Sequence, residues 1–234
     1  MNKSTIKLAR HIYPVTYFRS LESAFPIKII SSLRNVSPIF LGILLFSILY
    51  IRLCSNSGDV EGNNYFEQGN IEAALDSYNE YLMLYPNDAK TLYNRGRCFE
   101  LQGNITRAKE DYNQVLDLDS ENVKALLSLS QLYYGEGNYR LAITLCKSAV
   151  QIDDENYLAH YFLARAYHKS GDQLHALNNY NASIDINPDF GFAYYQRSSL
   201  MFSIGLDPCG CYDLKMADTL KVEGASQALK LYCH

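Results

Sequence analysis

The chain is 234 residues long, 48% hydrophobic, with 20 Tyr, 10 Phe and no Trp, which is ample for a packed core. Its net charge of −4 is unevenly placed: residues 1–54 carry seven Lys and Arg against Glu22 alone, a net of +6, which leaves −10 for the remainder. So acidic a body argues against nucleic acid as its partner, because phosphate binding needs Lys and Arg gathered on one face.

Residues 1–34 form a basic segment broken by Pro14 and Pro26. Its short amphipathic pieces suit either an anionic membrane surface or a loosely ordered cytoplasmic tail. Residues 35–54 are predicted to be a transmembrane or signal helix. Between Asn35 and Ile51 no charge occurs, and Val36–Ile51 reads VSPIFLGILLFSILYI. Its Leu, Ile, Phe and Val residues together favour insertion by roughly 3 to 7 kcal/mol before Pro38, Gly42 and the serines subtract. Basic residues precede the run and acidic ones follow it. The positive-inside rule therefore places the N-terminus in the cytoplasm and the body on the extracytoplasmic side. Cys54 closes the run and is a lipidation candidate, since a Cys after an apolar core resembles a lipoprotein signal. Arg52 and Leu53 depart from that pattern, so an uncleaved signal anchor and a lipoprotein both stay open. Residues 55–59 read as a linker.

From residue 60 a single spacing, that from Gly69 to Gly103, fits the chain. Gly137, Gly171 and Gly205 keep it; so do Ala74, Ala108, Ala142 and Ala176, and Tyr65, Phe99, Tyr133 and Tyr167. Such a period marks an array of stacked units. Leu92, Gly96 and Phe99 lie on one helical face, Gly103-Asn104 ends that helix and caps the next, and Ala108, Tyr112 and Val115 continue the stripe. Each unit is thus a helix, a tight turn and an antiparallel helix. One such hairpin cannot bury its own apolar face, so the units must stack.

The pattern resembles the tetratricopeptide repeat. That resemblance implies an all-α, right-handed superhelical solenoid of antiparallel helix pairs, here over residues 60–206, with units near 55–88, 89–122, 123–156, 157–190 and 191–206. Gly58, Glu61 and Gly62 weaken the first helix, and Leu206-Asp207-Pro208 departs from the Gly-Asn turn. Residues 207–234 read as C-terminal capping helices whose ends bring Cys211 towards Cys233, with Cys209 as the competing partner. This stretch also resembles terminal caps of some bacterial envelope repeat proteins, and a bridge there needs an oxidising compartment.

No phosphate loop, nucleophile elbow or HExxH motif occurs, and no catalytic constellation is found, so the chain is not read as an enzyme. Cys98 and Cys146 fall on core positions. Cys209-Gly-Cys211 lacks a second ligand pair, and His160, His168 and His175 sit on different helix faces, so neither metal nor other cofactor is expected. Nor is a small-molecule substrate or nucleic acid expected as a partner. The resemblance implies a groove lined by the first helix of each unit, on which Lys90, Tyr93, Arg97, Lys124, Gln131, Tyr161, Arg165, His168 and Tyr195 fall, with Leu127, Leu158, Phe192 and Phe202. Aromatic rings with interspersed Arg suit capture of a peptide. Family members that clamp a terminal carboxylate would do so at positions matching Asp59, Asn63, Asn94, Lys124 and Ser128, where Asp59 and Ser128 do not fit. The expected function is a non-catalytic scaffold, tethered to a membrane through residues 35–54, that holds a peptide or helix of a partner protein. The alternative is an accessory or regulatory subunit of an envelope enzyme or secretion assembly, bound through the convex face.

Overall fold

A computed structural model of the protein describes residues 59–233. The predicted membrane segment and Cys54 lie outside them. Among the described residues there are only helices, and none is long and apolar enough to cross a membrane. In chain order they are α1 (59–67), α2 (Ile71–Leu84), α3 (Ala89–Leu101), α4 (Ile105–Leu118), α5 (Val123–Gly135), α6 (Tyr139–Ile152), α7 (Tyr157–Ser170), α8 (Gln173–Ile186), α9 (Gly191–Ser203), α10 (Asp207–Thr219) and α11 (Ala225–Tyr232). Odd- and even-numbered helices up to α10 form five hairpins, and each hairpin packs on the next.

The turns explain the regularity. Gly69, Gly103, Gly137, Gly171 and Gly205 all take φ between 75° and 88°, a left-handed conformation that costs Gly nothing and other residues roughly 1–2 kcal/mol. The following side chain then starts the second helix. Asn70, Asn104, Asn138 and Asp172 each accept a hydrogen bond from a backbone N–H in the new first turn. Asp88, Asn122 and Asn156 do the same for α3, α5 and α7. Each such cap stabilises its helix by about 1 kcal/mol. The α9 start, at Phe190, has no side-chain cap.

Inside a hairpin, one contact sets how closely the two helices approach. Tyr78 and Tyr112 are fully buried on the second helix, and a Cβ placed on Gly62 or Gly96 would stand 2.5 Å or 2.7 Å from the facing ring. Where the second helix carries the smaller Cys146 instead, the facing residue is Ser130. Cys98 and Cys146 are both buried free thiols, and burial pushes each up to about 11. Both are core residues.

The fifth hairpin is more regular than the sequence suggests. Residues 207–234 are expected as a separate cap, yet α10 follows α9, Gly191 to Asp207, at the interval that separates α3 from α4 and α7 from α8. Pro208 at the helix start suits that position, so the missing Gly-Asn pair does not break the register. The capping element is α11 alone, which starts one full repeat interval after α9 and would be the first helix of a sixth unit. Cys211 and Cys233 are joined as a disulfide with their Cα atoms 5.6 Å apart, pinning the last turn of α11 to α10. Cys209 is free and exposed. Closing a loop of this length is worth about 3 kcal/mol.

Candidate partner-binding face

The array curves. First helices of neighbouring units touch one another, α5 against α7 and α7 against α9, and no two second helices approach to that extent. The first helices therefore form the inner wall. From α3 to α9 they are basic as a group, whereas α1, with Asp59, Glu61 and Glu67, is acidic and the second helix α6, with Arg140 and Lys147, is basic as well. Between them α3, α5, α7 and α9 carry Lys90, Arg95, Arg97, Lys124, Arg165, Lys169 and Arg197, with Glu100 as their single acid, a net of +6.

The predicted face residues separate into three groups. Lys90, Arg97, Lys124 and Gln131 are exposed. Tyr93, Arg165, His168 and Tyr195 are half-buried: the Tyr93 hydroxyl pairs with Ser128 Oγ at 3.3 Å, and Tyr195 packs against the core beside the α10–α11 end. Burial holds His168 below the ordinary imidazole range, helped by Lys169, and its ring stands edge-on to Tyr180. Tyr161 belongs to the core instead. It is 7% exposed, its ring enclosed by Phe162, Tyr180 and Phe190 at centroid distances of 5.3, 6.3 and 4.9 Å. Its repeat slot, which Tyr93, Leu127 and Tyr195 share, leans into the joint between units, and Leu127 is buried as well.

Arg97 and Arg165 share one slot, two units apart, and have the same mount. The Arg97 guanidinium lies 4.5 Å above the ring of Phe66, and that of Arg165 lies 4.5 Å above the ring of Tyr134. Phe66 and Tyr134 also share a slot, nearly one repeat ahead of their arginines, with Phe202 at its last occurrence. Such stacks contribute about 0.5–2 kcal/mol and hold a guanidinium flat. Neither platform is among the residues expected from sequence. The signal was a spacing between aromatic and Arg slightly shorter than the repeat, which a search at the repeat interval passes over. Beside Arg165 a small recess of about 10 Å³ is lined by Gln131, Tyr134, Cys146 and Phe162.

At the other end of the wall polar groups are already paired. Lys90 Nζ donates to Asp59 Oδ2 at 2.9 Å, Asn63 Nδ2 donates to Asp59 Oδ1, and Asn63 Oδ1 accepts from both Tyr78 and Asn94. A carboxylate clamped at these positions would have to displace Asp59. Among the described residues no group of three or more His, Cys, Asp or Glu side chains is gathered as for a metal ion.

Three models of the tetratricopeptide repeat match residues 89–122, 133–173 and 157–190. The chain carries tetratricopeptide repeats. Solved structures agree on the fold of these repeats. A fragment of MamA, from residue 41 to its end, of Desulfovibrio magneticus RS-1 superposes with a TM-score of 0.66 at 17% identity, covering 72% of this chain and 95% of that one. TTC0263, a thermophilic repeat protein of Thermus thermophilus, gives 0.60 at 19% identity, covering 75% and 99%. YrrB, described as a repeat protein with an unusual peptide-binding site, gives 0.59 at 19% identity, covering 72% and 88%. No curated protein sequence matches the chain significantly. A scaffold for protein interaction fits the tetratricopeptide repeats.

Proposed function

We propose that the protein is a non-catalytic scaffold, held at a membrane by residues 35–54, whose inner wall captures a segment of a partner protein on the extracytoplasmic side. The observation that carries the reading is the state of that wall. Arg97, Lys124, Gln131 and Phe192 stand exposed on it, Arg165 half-exposed, and none of Arg97, Lys124 or Arg165 has a hydrogen bond or ion pair among the described residues. Exposed rings and planar cations not already committed to a partner are what a contact surface uses. The apolar run at 36–51, the charge asymmetry about it and the Cys211–Cys233 bridge support a tethered array outside the reducing cytoplasm.

Site-directed photocrosslinking tests this in the membrane where the full chain resides. A benzoylphenylalanine at Gln131 or Lys124 on the inner wall should yield one defined adduct, identified by mass spectrometry. The same probe at the outward positions Arg140 or Asn178 should yield none. Adducts from the outward positions alone would move the partner to the convex side, as in an accessory subunit of a larger assembly.

A further inference from the structure

The charge and hydrogen-bond state of the inner wall also constrain what can occupy it. Of the basic side chains on α3, α5, α7 and α9, Arg95 and Arg197 turn to the second helices and Lys90 is paired with Asp59, which leaves Arg97, Lys124, Arg165 and Lys169 on the wall, within a described body of net −10. From α3 to α7 the inner wall thus presents basic side chains, with the acidic α1 at one end. Within the wall one slot reads Asn63, Arg97, Gln131, Arg165, Ser199 along the array, and a second reads Lys90, Lys124, Leu158, Phe192. The first is polar throughout. The second changes from cationic to apolar, ending at Phe192, which is 51% exposed.

The arginines of the molecule fall into two kinds. Arg95 and Arg197 face the second helices, and each is fully engaged by a buried Asp and an Asn. Arg97 and Arg165 are spread on rings with every N–H free among the described residues. Unit four adds a further surplus of donors. The Tyr78 and Tyr112 hydroxyls of the first two units donate to Asn63 and Glu100 on the facing helix. The corresponding Tyr180 hydroxyl is buried with no partner among the described residues, because the slots of Asn63 and Glu100 are here Arg165 and His168. We infer that the wall's occupant is an extended acidic segment of a protein, with carboxylates meeting Arg97 and Arg165 and an apolar residue lying towards Leu158 and Phe192.

This rests on the inner-wall reading above and adds the chemistry of the ligand. A planar guanidinium presents two parallel N–H groups to a carboxylate, a geometry that the stacked mounts of Arg97 and Arg165 preserve. A nucleic acid is disfavoured, because its unbroken row of phosphates would run on to the acidic α1, and the Leu158–Phe192 end offers it no counter-charge.

The probe is a short fluorescent peptide, blocked at both ends, with Glu alternating in its first half and Leu in its second, and a twin carrying Gln for every Glu. Binding is read by anisotropy on the full chain in detergent. The Glu peptide should bind at least tenfold more tightly than its twin. Arg97→Gln and Arg165→Gln should each weaken it about tenfold, Arg165→Lys should recover only part of the loss, and Arg140→Gln should leave it unchanged. Circular dichroism checks that each variant stays folded. Equal binding of the two peptides, with loss on Phe192→Ser, would overturn the acidic ligand and leave the inner wall standing. No binding of either peptide would overturn both. Tighter binding of a single-stranded oligonucleotide than of the Glu peptide would overturn the assignment in favour of nucleic acid.

Discussion

The second and fifth repeats lock their two helices together differently from the third and fourth. In the second, Arg95 donates two hydrogen bonds to Asp111, at 2.9 and 2.7 Å, and one to Asn79. In the fifth, three units on, Arg197 repeats the arrangement with Asp213 and Asn181. Between them the same pair of slots holds Leu129 with Leu145, and Leu163 with Asn179. The second and fifth units carry ionic locks, and the third and fourth carry uncharged pairs. A buried ion pair gives little net stability over well-packed apolar residues, but it is intolerant of any wrong partner, because an unpaired buried charge is expensive. The lock is not a property of chain ends as such, since the first unit carries Glu61 and Ser77 at these slots; it fixes how the second and fifth hairpins close.

Breaking the locks tests this with the largest expected effect. Asp213 is 1% exposed and its Arg197 14%, against 5% and 22% for Asp111 and Arg95. Asp213→Ala should therefore destabilise by about 3–5 kcal/mol, and Asp111→Ala by less, measured by urea denaturation. The double replacement Arg95→Leu with Asp111→Leu, which copies the third unit, should lie within about 1 kcal/mol of the parent. A double variant as damaged as Asp111→Ala would mean that the second unit needs charge as such.

Much of this was legible from the sequence. The repeat interval that runs from Gly69 to Gly205, the Gly–Asn turns and the small-against-large slots are local facts, repeated often enough to stand above noise. The locks were not, although Arg95 and Arg197 lie three intervals apart, because a charge on a helix normally faces water and nothing local says that these two turn inwards. The residues expected on the inner wall differ in exposure. Lys90, Arg97, Lys124 and Gln131 are exposed there, and Tyr161 is not, since helical phase cannot separate a residue facing the groove from one facing the next unit. The fifth unit was read as ending too early because its turn lacks the usual second residue, and the register of α10 depends on packing that the turn does not encode.

A second difference along the array concerns size. Gly96 faces the fully buried Tyr112, whose hydroxyl donates to Glu100, so the ring is fixed at both ends. A methyl group on Gly96 would meet that ring at 2.7 Å. Gly96→Ala should cost about 1–3 kcal/mol even though Ala is the better helix former. At the same slot in the third unit, Ser130→Ala removes a hydrogen bond to the Leu127 carbonyl and a contact with the Cys146 thiol, and should cost less than about 1 kcal/mol. Equal costs at the two sites would show that the slot is indifferent to the residue it faces.

The smallest expected effect separates the fourth unit from the second. His168 holds the slot that Glu100 holds in the second unit, and burial against Tyr180 keeps its folded-state pKa below the value of about 6.5 for a free imidazole. Below that value the unfolded chain takes up the proton first. Stability from the neutral ring is therefore complete above about pH 6.5 and falls as the pH drops towards the folded-state value. The half-exposed ring makes the loss small, and the chain holds other histidines, so the informative quantity is a difference. Tm measured at about pH 7.5 and at about pH 5.5, either side of the free-imidazole value, should fall further in the parent chain than in His168→Gln, which keeps the bulk and cannot take up the proton. The reverse order would mean that a protonated His168 is stabilised by an acceptor, and the fourth unit would then resemble the second after all.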